Sequence, residues 1–391
     1  SLNWLNSSGL RPVYTNNPAN VSKNLKWETI NTINVGLDMG FLKNELQLTF
    51  DWFIRENKNM IAPGTTLPAA FGVGAASQNS GSLRTSGWEV ELNYNHNFKH
   101  DAYFYGTLTL SDYQSKITEW TGNDSKMLYT NYKGKKIGEI WGFKNAGYFK
   151  DAADVTNSPS QVKLQNGSFV YGPGDVKYAN LNDDNEITGG SQTLDDHGDL
   201  TVIGNTTPRY QYGIRLGGGW KGFDIDMYFQ GVGKRDMWGT GSMVIPLYNA
   251  ANCTMYQHQM DFWTPENSDA YYPNPSAGSE NASTISNMAG LSNAAAATGR
   301  NFYPQDKYLL NLAYLRFKNL TVGYTVPANL TKKISIEKVR IYLSGQNLFE
   351  IKKTDLPIDP EITSGSPSFN AYYGRTMPFT RTYSFGIQVS L

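Results

Sequence analysis

The run Asn180-Leu181-Asn182-Asp183-Asp184-Asn185-Glu186-Ile187-Thr188 puts side-chain oxygens at alternating positions, as a loop must to wrap a hard divalent cation. Matched to the D-x-[DN]-x-[DN]-G type of calcium loop, Asn180, Asn182 and Asp184 take the first, third and fifth ligand places. Glu186 would offer its backbone carbonyl, and Ile187 would pin the loop. The run departs from the pattern in having Asn180 where an aspartate is usual. Asn185, which tolerates left-handed φ, replaces the turn glycine. Ser191 stands where a bidentate acid is expected, and Asp195, Asp196 and Asp199 lie downstream to compensate. The expectation is structural Ca²⁺ at Asn180, Asn182, Asp184 and Glu186; the alternative is a polar loop without metal.

Other chemistry is sparse. Asp183/Asp184 and Asp195/Asp196 are acid pairs of the kind glycosidases use, but adjacent acids in a loop more often serve calcium or solvation. His96, His100, His197 and His258 are scattered, and no zinc spacing results. No G-x-S-x-G motif occurs, and no glycine-rich phosphate loop precedes a helix. Gly217-Gly218-Gly219 before Trp220 reads as turn punctuation. Cys253 is the single cysteine, so an internal disulfide framework and a cysteine zinc site are both excluded. These residues give no reading as an enzyme. Trp141, Phe143, Tyr148 and Phe149 share one long loop. They would either stack on sugar rings or pack the loop onto itself or a covering partner, packing being the better expectation. Residues 251–275 carry Tyr256, Phe262, Trp263, Tyr271 and Tyr272 among Pro265, Pro273 and Pro275, and read as a rigid loop suited to docking.

The elements that would position these residues are strands. The 391 residues hold 34 basic and 34 acidic side chains, 17% charged and 13% aromatic, with a mean hydropathy of −0.47. The balanced charge gives no electrostatic reason to expect nucleic acid. No apolar window is long enough for a transmembrane helix. The start, Ser1-Leu2-Asn3-Trp4-Leu5-Asn6, has no basic region followed by an apolar one, so no signal peptide is expected in this chain. Helical periodicity is nearly absent, and alternation with a period of two recurs. Tyr383, Phe385, Ile387, Val389 and Leu391 alternate with Ser384, Gly386, Gln388 and Ser390. The same pattern runs through 33–39, 46–55, 88–95, 209–216, 223–230 and 339–344, and more weakly through 102–117. Segment 311–326 fits if a bulge near Asn319 shifts its register. About nine strands result, each near 12 residues, longer than the usual 5–6 and matching the ~9–11 tilted residues that cross a bilayer. Trp27, Trp88, Trp220, Tyr324 and Tyr383 sit at strand ends, as an interfacial girdle requires.

Connections alternate in length. Short links fall near 40–44, 99–101, 220–222 and 327–336, and long ones near 58–86, 118–207, 236–310 and 351–377. Tight periplasmic turns and long extracellular loops give a transmembrane barrel this asymmetry. Counting back from a final strand that ends in the periplasm puts residues 1–26 on the long-loop side. A barrel of even strand number then needs an odd number of strands upstream, so the chain is expected to be a C-terminal part of a larger barrel. The competing fold is a secreted carbohydrate-binding or glycoside-hydrolase β-sandwich. In that fold the apolar faces are buried against a second layer and the polar faces are strongly charged.

Specific strings sharpen the choice. They begin with Asn24-Leu25-Lys26-Trp27-Glu28-Thr29, then Asn79-Ser80-Gly81-Ser82-Leu83-Arg84 running into Gly87-Trp88-Glu89. Ile137-Gly138-Glu139-Ile140-Trp141-Gly142-Phe143 with Gly147-Tyr148-Phe149 follows, then Gly174-Asp175-Val176-Lys177-Tyr178, Val202-Ile203-Gly204-Asn205 and Pro208-Arg209-Tyr210. Phe223-Asp224-Ile225, Phe229-Gln230-Gly231-Val232-Gly233, Tyr314-Leu315-Arg316-Phe317-Lys318-Asn319-Leu320-Thr321-Val322-Gly323-Tyr324 and Gly345-Gln346-Asn347-Leu348-Phe349 complete the series. Through these strings, along nearly its whole length, the sequence resembles SusC/RagA-type TonB-dependent outer-membrane transporters. The resemblance implies an all-β antiparallel transmembrane barrel of 22 strands, with residues 1–391 as its C-terminal portion. The plug domain and the remaining strands would precede Ser1. It further implies integral outer-membrane localisation, energy from TonB through a segment not in this chain, and a SusD-like surface lipoprotein as partner. The cargo would be a glycan, oligosaccharide or peptide nutrient, with outer-membrane lipid around the wall. Arg209, Arg215, Asp224, Asp226 and Arg340 would line the lumen and hold plug or ligand.

Overall fold

The computed structural model describes residues 20–65, 67–165, 170–241, 243–246, 256–274, 301–331, 333, 335–361, 368–370 and 380–390. The opening Ser1–Asn6 stretch, Cys253 and Pro275 lie outside the described residues. The main element is a nine-stranded antiparallel sheet. Its strands are β1 (Thr29–Phe41), β2 (Leu46–Ala62), β3 (Gln78–Asn97), β4 (Tyr103–Glu119), β9 (Arg209–Trp220), β10 (Phe223–Lys234), β13 (Tyr314–Thr325), β14 (Lys338–Lys352) and β16 (Thr382–Ser390). They follow one another in chain order across the sheet, so every neighbour is a hairpin partner. β1 and β16 form the two edges, each paired on one side only among the described residues. Among those residues no helix is long and apolar enough to cross a membrane.

Register follows the alternation. Val35 lies opposite Trp52, and Trp52 opposite Trp88. Leu48 pairs with Leu92, Leu92 with Leu108 and Leu108 with Ile214. Ile214 meets Phe229, Phe229 meets Phe317 and Phe317 meets Phe349. Ile341 pairs with Ile387, and Leu343 with Phe385. One apolar face therefore runs unbroken from the first strand to the last, and among the described residues no second layer covers it. Ile33 is 63% exposed, Leu343 61% and Phe385 64%. A sandwich would bury these side chains, so that alternative fails. The opposite face carries Thr49, Asp51, Asn93, Thr107, Arg215, Asp226, Thr321 and Ser344.

The short-turn end is built by left-handed residues. Lys221 and Gly222, both at positive φ, join Trp220 to Phe223 in a two-residue hairpin, the backbone a primed turn requires. Leu42, Lys43 and Asn44 are all left-handed in the β1–β2 link. Near Asn319 the expected bulge is present. Tyr228 pairs with Asn319 and Phe229 with Phe317, so Lys318 is the extra residue, and the apolar face keeps its side of the sheet.

Two details differ from expectation. β3 extends over 20 residues and β2 over 17, so the first long connection covers residues 63–77 rather than 58–86. Above the apolar band both faces are polar, and water on either side permits the ladder to continue. Gly217-Gly218-Gly219 lies inside β9 rather than in a turn. The rings of Tyr105 and Tyr103 lie where a Cβ at Gly217 or Gly219 would stand, so only glycine lets these tyrosines cross the strand.

The compact hydrophobic core lies away from the sheet faces, at the long-loop end. There the small sheets β5 (Glu139–Gly142) with β8 (Thr201–Asn205) and β6 (Asn145–Tyr148) with β7 (Val176–Tyr178) form a cap. A third contains β11 (Asp236–Thr240), β12 (Leu309–Asn311) and β15 (Ser368–Asn370). Ile140, Phe149, Val176, Met237, Tyr272, Phe302 and Leu312 are buried there.

This two-faced sheet makes a direct prediction for the full-length protein folded into lipid vesicles. Leu92→Arg, placed between Leu48 and Leu108, should cost about 2–4 kcal/mol in a denaturant titration, whereas Asn93→Arg on the other face should stay within about 1 kcal/mol. Equal costs would contradict the assignment of the faces.

Candidate functional site

Among the described residues, the Asn180 run, the Trp141–Phe149 aromatics and residues 256–274 all lie in the cap. The Asn180–Thr188 run curls through left-handed Asp183 and Asn185. Asn180 Oδ1 accepts from the Asp183 amide at 2.9 Å, Asn182 Oδ1 from the Asp184 amide at 3.2 Å and Asp184 Oδ1 from the Glu186 amide at 2.9 Å. The Asn182 side-chain amide donates to Asp184 Oδ2 at 2.9 Å. Glu186 directs its carboxylate to Lys163 at 2.5 Å, which leaves its backbone carbonyl as the ligand atom the pattern assigns to it. Ile187 is fully buried, its amide donating to Ser160 O, so it pins the loop. The two ends are stapled by Asp199, whose two oxygens accept the Leu181 amide at 2.7 Å and the Thr188 amide at 2.8 Å. Asp199 is fully buried and so serves the loop's frame. Asp195 pairs with Lys126 at 2.8 Å, and Asp196 accepts the Ser191 amide. No group of three or more His, Cys, Asp or Glu positioned for a metal occurs among the described residues. At its side-chain ligand places the Asn180 loop offers one carboxylate, Asp184, and two amides, Asn180 and Asn182. That donor set fits a hard cation, but with little charge to hold it.

Of the four aromatics in the long loop, Phe143, Tyr148 and Phe149 are buried in the cap core, so packing is their role. Trp141 differs. It is half-buried, donates Nε1–H to Glu139 at 3.0 Å and stands over the His197 ring at 5.5 Å. It lines a cavity of about 770 Å³ together with Tyr129, Lys135, Lys163, Gln192 and Tyr303. That volume is ordinary for a small-ligand site, as is a largely apolar wall with a few fixed polar groups. Lys135 Nζ donates to Leu128 O and Thr130 O at 2.7 and 2.9 Å, and burial lowers its pKa. Within residues 256–274, Trp263 and Tyr272 are buried, while Tyr271 remains 44% exposed. Lys307 ties this segment to β6, donating to Tyr148 Oη at 2.7 Å and Ala270 O at 3.2 Å; burial pulls its amine down to about 8.

The expected lumen charges are all engaged. Arg215 binds Asp226 at 2.9 Å, and Tyr105 donates to the same carboxylate. Arg340 binds Asp224 at 2.5 Å. Arg209 departs from the lumen expectation: its two N–H donors go to Asp112, which lies opposite Trp88 on the outward face. Sequence reasoning missed the strongest of these networks. Arg316, 2% exposed, binds Glu350, Asp359 at 2.6 Å and Glu361 at 2.7 Å, and so anchors residues 354–361 over the sheet. It also missed Asp175, a fully buried carboxyl that accepts from Asn301 Nδ2 at 2.6 Å and the Gly172 amide at 2.8 Å. Asn301 Oδ1 in turn accepts from the Val176 amide at 2.7 Å. The partners are 126 positions apart, so no local pattern could have announced them.

The family described as "TonB dependent receptor-like, beta-barrel" matches residues 1–348. TonB-dependent receptor P3 of Formosa agariphila is 25% identical over 386 residues, covering 94% of this chain and 34% of the relative. TonB-dependent receptor SusC of Bacteroides thetaiotaomicron is 24% identical over 381 residues, covering 96% of this chain and 33% of the relative. The solved RagAB peptide importer in its open-open state superposes with a TM-score of 0.69 at 21% identity, over 97% of this chain and 37% of that one. The chain spans about a third of the length of the curated relatives it matches.

Burial of Asp175 sets a pH dependence for the cap. Desolvation raises its carboxyl from 3.8 to about 7, so the folded state keeps a proton the unfolded state has lost. Its contribution is whole below the unfolded pKa, falls as pH rises and is gone above about 7. Limited proteolysis of the cap should therefore be slower at pH 5 than at pH 8, and Asp175→Asn should flatten the difference. An unchanged pH profile in that variant would refute the assignment.

Proposed function

The chain belongs to the TonB-dependent receptor-like β-barrel family, and from that premise we propose that it forms part of the wall and the outer cap of a SusC/RagA-type importer integral to a bacterial outer membrane. The observation that carries this reading is the unbroken, uncovered apolar face of the nine-stranded sheet. Water would not leave such a face open, whereas lipid requires one. Residues 1–391 are the C-terminal portion of the barrel, and further strands and a plug complete it. The protein moves its cargo without chemically altering it and is not an enzyme.

The work divides between the two ends. The sheet supplies a rigid wall whose polar face borders a wet lumen. The cap, held together by its own hydrophobic core, presents the ligand surface, with the Trp141 cavity as its receptive part. Trp141 and Tyr303 offer faces to a sugar ring or an apolar peptide side chain. Lys135, Gln192 and Thr188 offer polar partners at the same rim. A glycan, oligosaccharide or peptide fits these walls; the RagAB neighbour is a peptide importer. A SusD-like lipoprotein closes the cap from outside, with the exposed Tyr271 region as the docking candidate. TonB supplies the energy through a segment outside this chain. The Asn180 loop stiffens the cap with a weakly held Ca²⁺.

Three measurements test this. Cells that depend on the full-length protein for uptake of its nutrient should lose that uptake when TonB is disabled; retained uptake would indicate a passive pore. Trp141→Ala should weaken cargo binding about tenfold while leaving the amount of membrane-inserted protein unchanged, and undiminished binding would remove the cavity from the reading. Terbium luminescence should saturate at the Asn180 loop, be displaced by Ca²⁺ with an affinity near 10⁻⁴–10⁻³ M, and vanish in Asp184→Ala. A signal that survives this substitution would place the ion elsewhere.

A further inference from the structure

Above the apolar band, the outward face of the sheet carries a row of three cations. Arg84 on β3 lies directly opposite Lys116 on β4, and Lys116 directly opposite Lys136. Arg84 shares the side of β3 occupied by Trp88, Val90 and Leu92, and Lys116 the side of β4 occupied by Leu108 and Leu110, with no register shift between. All three are exposed. The amides of Ile117 and Ile137 bond across to Lys135 O and Ser115 O, which makes Lys116 and Lys136 a non-hydrogen-bonded pair, the kind whose side chains stand closest.

Like charges directly opposite one another destabilise a ladder unless an anion sits between them. None of the three has a carboxylate within salt-bridge distance among the described residues. The acids on hand are committed elsewhere. Glu56, next in the row, binds Lys58 at 3.3 Å. Asp112, on the same face four residues below Lys116, binds Arg209. Glu139 accepts from the Trp141 ring, the Tyr132 hydroxyl and the Lys136 amide.

Height identifies the missing anion. Arg84 is thirteen residues from Asn97 at the short-turn end of β3, and Lys116 thirteen from Tyr103 at that end of β4. At ~3.3 Å per residue and ~40° of tilt, both stand about 33 Å above those ends, at headgroup height beyond a hydrocarbon band ~25 Å tall. Trp52 and Trp88, paired side by side, lie below them at the girdle. Continuity with the lipid-facing surface points the row at headgroups rather than at cargo. We infer that Arg84, Lys116 and Lys136 form a binding site for the phosphate groups of a phosphorylated lipid in the outer leaflet. This rests on the outer-membrane reading above.

The test uses full-length protein in mild detergent, titrated with diphosphorylated lipid A and followed by native mass spectrometry. Wild type should hold the lipid, and the triple variant R84Q/K116Q/K136Q should bind it about a hundredfold more weakly. The single variants should fall between, which guards against a folding defect, and heat-modified electrophoretic mobility checks that each barrel is closed. Dephosphorylated lipid A should bind wild type as weakly as the phosphorylated form binds the triple variant. Undiminished lipid on a membrane-inserted triple variant would overturn this inference alone, as would equal binding of the dephosphorylated lipid. Full displacement by inorganic phosphate at equal concentration would make it a free-phosphate site and overturn the lipid assignment. A full-length protein that needs no detergent would overturn the barrel reading beneath it.

Discussion

A strand that crosses lipid must hand every backbone N–H and C=O to a neighbouring strand and every outward side chain to hydrocarbon. That double requirement explains the sheet. Sequential hairpins satisfy the first half, and the strict period of two satisfies the second. A slip of one residue at any pair would turn leucines inward and aspartates toward lipid, so register is fixed by the largest solvation term available. The bulge at Lys318 illustrates the pressure. One extra residue is absorbed locally, and Phe317 and Leu320 remain on the same face as their partners Phe229 and Met227.

The same requirement inverts the usual relation between core and surface. The sheet's apolar residues are on its outside, so they cannot cement the fold to itself. Cohesion within the protein comes from the cap, where Tyr148, Phe149, Tyr178, Phe302 and Tyr308 close over one another far along the chain from each other. Sheet and cap are tied by charge. Arg316 is buried, and Glu350, Asp359 and Glu361 surround it, so its loss would strip Asp359 of its cation and leave Glu361 to Lys318 and Glu350 to Lys352 at 4.0 Å. A rigid wall thus carries a separately cored cap, and the cap can vary its loops without disturbing the register below.

The site was only partly legible in advance. The Asn180 run stands out in sequence because its alternating side-chain oxygens are a local pattern, and the structure folds it as a curled loop with Ile187 as its anchor. Asp199 was placed among compensating acids and proves to be the loop's staple, a role set by two backbone amides that no spacing could reveal. Trp141, Phe143, Tyr148 and Phe149 look alike in sequence. Three of them are buried, and one lines a cavity, because β5 and β8 pair so as to leave Trp141 at the rim. The glycine triplet looks like a turn in sequence for a similar reason: it clears space for Tyr103 and Tyr105 on the neighbouring strand β4.

Alternation along the chain determined the strands, their two faces, the bulge and the unequal loops at the two ends. These follow from a period of two and from turn chemistry, both of which act over a few residues. Tertiary structure alone decided which loop residues meet. The Asp175–Asn301 contact, the Arg316 network and the cation row joining Arg84, Lys116 and Lys136 each depend on segments brought together by the register of the whole sheet. Contacts of that kind are set by where strands end in space, and the sequence encodes them only through the sum of every pairing between.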